Sequence, residues 1–272
     1  MSIWSHIKRS ATERLARNWV WAARPNRAQT PMVSFTFDDF PKSARTCGAP
    51  VLKARGVAGS FYVAGSFEGR REEGIDYFHR EDLIGLAEEG HEIGCHTFGH
   101  IRLPTSTDEE ILDDLDRSRD FIGEALGGYQ ARSFAYPFGD VTVWKKHLVA
   151  RRFEVSRGIF PGVNQRLIDL RQLKSIPLER RSFEMEAALT ALDVAASSNG
   201  WVTFFSHDVS DDPSPYGCTP DELGRLVDAA LDRGIRVLPV KDAADLVTGR
   251  TVATPRTAAA TSFRPRLVDS PN

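Results

Sequence analysis

The chain has 272 residues, 41% hydrophobic and 26% charged, with a formal net charge of -2. That make-up is the one expected of a soluble globular protein, and it excludes collagen-like, disordered and membrane-spanning classes. The charge is unevenly placed: residues 1–27 carry a net +5 and residues 250–272 a net +3, which leaves -10 on the stretch between them.

An acidic body is a poor general binder of nucleic-acid phosphate, so no nucleic-acid partner is expected. Cys47, Cys95 and Cys218 are widely spaced. They form neither a disulfide framework nor a Cys-x-x-Cys metal site, and they suit reducing conditions. No run reaches a secretory core or the roughly 18 apolar residues of a spanning helix, so a cytoplasmic location is the default expectation.

In chain order, Ile3, Ile7, Ala11, Leu15, Trp19 and Ala22 recur every three or four residues with arginines between them. This is the pattern of a basic amphipathic helix. Two uses are open for residues 3–22. One is an interfacial anchor on anionic lipid at the inner face of a membrane; the other is packing of the apolar side on the body of the protein. Residues 1–30 are therefore read as an N-terminal segment, 31–249 as one catalytic-sized domain, and the Ala-, Thr-, Pro- and Arg-rich run 250–272 as a disordered tail.

Within the domain, apolar, β-rich runs fall at Met32–Phe37, Val57–Val63, His91–Cys95, Ser133–Tyr136, Phe153–Ser156, Leu173–Pro177, Trp201–Ser206 and Ile235–Val240. Helical patterns lie between most of them. Thr107-Asp108-Glu109-Glu110 and Thr219-Pro220-Asp221-Glu222 read as capping boxes. Gly56, Gly90, Gly127, Gly200 and Gly234 read as helix terminators. Alternation of this kind predicts an irregular (β/α) barrel of seven or eight strands with its groove at the C-terminal ends of the strands. An open doubly wound sheet is the alternative.

Chemistry is sought where strands end. Asp38-Asp39 follows the first strand, and both carboxylates can address one site only if the chain leaves strand geometry there. His96 and His100 follow the third strand. On a helical turn, residues four apart share a face, a spacing suited to two imidazoles on one metal. The run Tyr136-Pro137-Phe138-Gly139 is a tight turn with exposed N–H groups and aromatic walls of the sort sugars stack on. His207 closes a strongly apolar strand and is placed to donate a proton.

In this order the four strand ends resemble the polysaccharide deacetylases of carbohydrate esterase family 4, whose pattern is T-F-D-D, H-[ST]-x-x-H, P-[YF]-G and Leu/Phe-x-His. The resemblance covers about residues 31–248. It implies a divalent metal, zinc first, on Asp39, His96 and His100, with Asp38 as general base and His207 as general acid. The Phe138 N–H would be an oxyanion donor flanked by Pro137 and Tyr136, and the substrate an N-acetylated amino sugar in a poly-, oligo- or lipid-linked saccharide. Hydrolysis of a small non-sugar amide and a catalytically silent carbohydrate-binding domain are the alternatives.

Three positions depart from the family pattern. Ala135 stands where many members carry an arginine that braces the base, with Arg132 three residues earlier. No tryptophan has an Asp three residues before it to support the histidine. Phe40 replaces a common glycine and is expected to make one wall of the groove bulkier.

Overall fold

The computed structural model describes residues 23–252, so the amphipathic pattern over 3–22 and the end of the tail lie outside the described residues. Each predicted β-rich run overlaps a strand, usually shorter than the run, and the strand over Phe153–Ser156 extends one residue past its run to Arg157. The strands are β1 (Met32–Phe37), β2 (Ser60–Val63), β3 (Glu92–Cys95), β4 (Ser133–Ala135), β5 (Val155–Arg157), β6 (Ile176–Pro177), β7 (Trp201–Ser206) and β8 (Arg236–Val237). They form one parallel sheet in the order β6-β7-β1-β2-β3-β4-β5.

Two strands share one edge of β1. β8 pairs with Met32 and Val33, and β2 takes over at Thr36 and Phe37. The outer strands of the sheet are also linked. Leu173 N–H donates to Ser156 O at 2.8 Å and Gly158 N–H to Leu173 O at 3.0 Å, so the segment entering β6 runs along β5. The sheet therefore curls into an irregular barrel, as the alternation predicted.

Crossover helices follow the strands: α1 (Ala49–Lys53), α2 (Arg80–Glu88), α3 (Asp108–Ala125), α4 (Val143–Val149), α5 (Met185–Ser198), α6 (Pro220–Asp232) and α7 (Val240–Thr248). Both predicted capping boxes form. Thr107 and Thr219 Oγ1 accept from the Glu110 and Glu222 N–H groups, and the threonine N–H groups donate back to the Glu110 and Glu222 carboxylates. At the end of α5 the expected glycine is not the turning residue: Asn199 takes the left-handed conformation (φ 49°) and Gly200 follows it. Asn tolerates that region better than other side-chain-bearing residues because its short amide bonds locally.

All six residues of β1 are buried, as expected for a central parallel strand covered on both faces. Phe35 stacks on Phe204, and Phe37 stacks on Phe61. α7 lies across the N-terminal ends of the strands, with its Val240 and Lys241 N–H groups held by Ser60 Oγ and Glu92 Oε2. The packed body extends before Thr30, since Ala23–Pro25 pairs antiparallel with Leu167–Asp169. Among the described residues no helix is long and apolar enough to cross a membrane.

One core group makes stability depend on pH. His91 is buried and its Nδ1 accepts the Gly59 N–H at 3.0 Å, which requires an unprotonated Nδ1. Burial, reinforced by Arg45 and Lys53 against the pull of Glu89, takes the imidazole from its usual 6.5 down to about 4. The unfolded chain therefore takes up this proton first. The contribution is complete above pH 6.5 and is lost as pH falls from there to about 4, a loss approaching about 3 kcal/mol. Urea denaturation across that range should show wild type losing more stability than His91→Asn, whose amide oxygen keeps an acceptor for Gly59. Parallel curves would refute this.

Candidate metal centre and groove

The two carboxylates after β1 reach one site because the backbone reverses there. Asp38 still continues the ladder, its N–H donating to Ser206 O at 2.9 Å, while Asp39 and Phe40 both have φ of 60°. Left-handed conformations cost residues with a Cβ of order 1 kcal/mol or more each, so the turn must be held from outside. The Phe40 ring does this. It is fully buried, stacked on Phe78 at 5.0 Å and tilted against Phe61 at 5.4 Å. This corrects the expectation that Phe40 thickens the groove wall, because its ring turns into the core.

The two histidines after β3 converge by a different route from the helical turn expected. Thr97 (φ 62°) and His100 (φ 51°) are left-handed and the segment between them is an irregular loop. Asp114, buried on α3, holds the loop by accepting from the Phe98 and Gly99 N–H groups at 2.6 and 2.9 Å. Thr97 Oγ1 accepts from Ile101 N–H at 3.1 Å. The imidazole centroids end 5.0 Å apart.

Asp39, His96 and His100 form a compact donor set, their ligand atoms all within 4.8 Å of one another. Asp39 Oδ1 lies 3.3 Å from His96 Nε2 and 3.2 Å from His100 Nε2. Ligands at about 2.0–2.1 Å from a tetrahedral ion are themselves about 3.4 Å apart, so the spacing fits. His96 Nδ1 lies 2.8 Å from the Ala135 carbonyl, which can only accept. Nδ1 therefore carries the proton, and the Nε2 lone pair faces the carboxylate. Asp39 Oδ1 is buried without a hydrogen-bond partner. A buried oxygen and two imidazole nitrogens aimed at one another are the arrangement a divalent cation would stabilise.

The charges agree. Burial alone would raise the Asp39 carboxyl, but the adjoining His96, together with the potentials of His100 and His207, outweighs it and holds Asp39 well below the usual carboxylate range. Burial takes His100 down to about 4, which keeps its ring neutral at ordinary pH.

Asp38 is 4% exposed, and its partner is an arginine the sequence reading did not name. Arg157, fully buried at the end of β5, donates through Nη2 to both Asp38 oxygens and through Nη1 to Gly158 O at 3.0 Å. Its guanidinium lies between the rings of Tyr62 and Phe205, at 5.4 and 5.1 Å. Arg157 is the register partner of Ala135 across the β4–β5 ladder. The brace missing at 135 thus stands one strand over, at the same level. Arg132 does not reach Asp38; it pairs with Glu154 and with Asp245 of α7.

His207 stands at the end of β7, its Nε2 3.8 Å from Asp39 Oδ2 and its Nδ1 3.3 Å from Tyr216 O. Buried Glu179, two residues past β6, places Oε1 3.5 Å from Nδ1. Glu179 therefore fills the place of the absent carboxylate partner. Burial raises its pKa, opposed by His207 and Arg181.

The Pro137–Gly139 turn closes through Gly139 N–H to Tyr136 O and Asp140 N–H to Pro137 O, neither of which uses the Phe138 N–H. Phe138 is left-handed (φ 59°) and half-exposed, its ring 4.5 Å from that of His100. Gly139 must be glycine: φ is 65° and a Cβ there would meet Ile159 at 2.2 Å. Of the three residues expected at this end, Phe138 supplies the exposed wall. Pro137 is buried, and so is Tyr136, whose hydroxyl donates to Arg171 O at 2.9 Å.

The metal-site residues, with Asp38, Tyr136, Phe138, Glu179 and His207, line a groove of about 390 Å3 that also includes Tyr77, Ile159, Arg181 and Tyr216. Arg157 lies immediately after a predicted strand and Glu179 two residues after another. Reading the polar residues past every strand, rather than past four of them, would have found both.

Fold and site together define a β/α-barrel protein built around a metal-competent Asp-His-His centre. Residues 26–153 match the family model for polysaccharide deacetylase. The peptidoglycan-N-acetylmuramic acid deacetylase PdaC of Bacillus subtilis (strain 168) is 30% identical over 112 residues, 40% of this chain and 22% of that protein. Chitin deacetylase 1 of Cryptococcus neoformans is 28% identical over 106 residues, 39% of this chain and 21% of that protein. The chain spans about a fifth of the length of these curated relatives. A family 4 acetyl xylan esterase from Clostridium thermocellum in complex with a cobalt ion superposes with a TM-score of 0.58 at 18% identity, over 81% of this chain and 93% of that one. That likeness establishes the fold.

Proposed function

We propose that the chain is a metal-dependent hydrolase that removes an N-acetyl group from an amino sugar in a saccharide. The observation that carries this reading is the orphaned Asp39 Oδ1 facing two imidazole nitrogens, with Asp38 beside it and His207 across it. The names of the relatives, for N-acetylmuramic acid and chitin, support the substrate class.

An amide is a poor electrophile and its nitrogen a poor leaving group. Asp39, His96 and His100 would hold a divalent ion, zinc first for its donor set, which would supply a Lewis acid able to lower the pKa of water and polarise the acetyl oxygen. Asp38 accepts the water's proton, its carboxylate oriented and charge-compensated by Arg157. His207 offers its Nε2 proton to the departing nitrogen, while its Nδ1–H donates a hydrogen bond to Tyr216 O and Glu179 supplies countercharge for the imidazolium. The Phe138 N–H is the donor available to the developing oxyanion.

The test is acetate release by the metal-loaded full chain from chitooligosaccharides, peptidoglycan fragments and lipid-linked amino sugars. Release abolished by a chelator and restored by zinc is expected. Tight binding of a saccharide by the metal-loaded protein with no acetate from any of the panel would overturn the reading in favour of a silent binding domain.

A further inference from the structure

We infer that the groove carries a subsite for an anionic group on the sugar, and that Arg181 is its determinant. The inference rests on the deacetylase reading of the same groove and narrows its substrate to amino sugars bearing a carboxylate beside the acetamide.

Arg181 is the only lysine or arginine among the described residues lining the groove. It is held in place from several directions. Its backbone N–H donates to Pro215 O at 3.1 Å, and that of Arg180 donates to Gly217 O at 2.8 Å, which fastens the segment to the loop carrying Tyr216. Its Nε donates to Glu179 Oε2 at 2.9 Å, and its guanidinium lies over the Tyr216 ring at 4.2 Å. The side chain remains 49% exposed. Guanidinium has five donors, of which the Glu179 bond uses the Nε–H, so the two terminal nitrogens keep the fork that matches a carboxylate. A stacked, tethered arginine also loses little rotamer freedom on binding.

The position of the subsite selects the ligand. One Glu179 oxygen faces His207 Nδ1 and the other Arg181 Nε, so the proposed acid and the cation stand on either side of a single carboxyl group. His207 addresses the amide nitrogen. With Arg181 lining the same groove beyond Glu179, the proposed subsite takes substituents on the ring carbons next to the acetamide carbon. A neutral N-acetylglucosamine offers a hydroxyl there, whereas N-acetylmuramic acid offers a lactyl carboxylate. The acid among the groove-lining residues that is not committed to the centre is Glu73, in the turn between Arg71–Glu72 and Ile75–Asp76.

The test compares three tetrasaccharides: chitotetraose, an alternating N-acetylglucosamine–N-acetylmuramic acid tetrasaccharide, and the latter with its lactyl carboxylates converted to amides. Binding to the full chain is measured by calorimetry with a chelator present, so turnover is not required, and kcat/KM for acetate release is measured with metal. Wild type should bind the carboxylate form at least tenfold more tightly than its amide. The ratio should fall to within about twofold in Arg181→Ala and invert in Arg181→Glu, and it should shrink at high salt.

No preference in wild type, no detectable binding of any of the three, or an equal loss for all of them in Arg181→Ala would overturn the subsite; the last result would place Arg181 merely as a support for Glu179. A charge preference without acetate release would leave the subsite standing and refute the reaction. Acetate release with a ratio indifferent to Arg181 would do the reverse.

Discussion

Exchanging either of the adjacent residues Asp38 and Asp39 should silence the protein, but with different signatures. Asp39→Ala removes one of three ligand atoms and leaves His96 and His100 facing a gap. Bound metal and turnover should disappear together. Asp38→Asn leaves the ligand set untouched, and its amide oxygen can still accept from Arg157, so metal content should stay at wild-type stoichiometry. Turnover should nevertheless drop by about 10²–10⁴-fold, the usual contribution of a positioned general base. Metal analysis of the purified variants alongside acetate release checks both. If Asp38→Asn turned over at the wild-type rate, Asp38 would have no role as base.

The second large effect is on stability. Arg157 has no solvent exposure, and the Asp38 carboxylate it faces is nearly as deeply buried. Removing one member of such a pair strands the other as an uncompensated charge. Arg157→Met should therefore cost about 3–5 kcal/mol in chemical denaturation of the metal-free protein. Adding Asp38→Asn to it should return a substantial part of that loss, because the stranded charge goes with it. Strict additivity in this double-mutant cycle, or an Arg157→Met loss under about 1 kcal/mol, would show that the pair is not energetically coupled.

How much of this was legible from residue order varies with the kind of interaction. The strands and the capping boxes at Thr107 and Thr219 are written locally, in hydrophobic runs and three-residue spacings, and they appear where they were expected. The five residues of the proposed chemistry were singled out because each follows a strand end, the place where a barrel collects distant parts of its chain. What stayed hidden were pairings decided by curvature. Arg157 finds Asp38 only because the sheet brings the end of β5 over the end of β1, and Glu179 finds His207 only because β6 lies beside β7. The local conformations were misread for a related reason. The His96–His100 loop is set by Asp114 on α3, and Phe40 is turned inward by Phe78, so in both cases a contact far along the chain overrides the nearest-neighbour preference.

The lateral pairing of Ala135 with Arg157 has an evolutionary consequence. Residues opposite one another in a parallel ladder project to the same side, so a guanidinium can change strands without leaving the carboxylate it serves. Such an exchange must pass through a sequence with two arginines or with none. The first crowds two cations onto one acid, and the second abandons the base. Lineages should therefore be found in two states, arginine at 135 with a small residue at 157 or the reverse, with few sequences between.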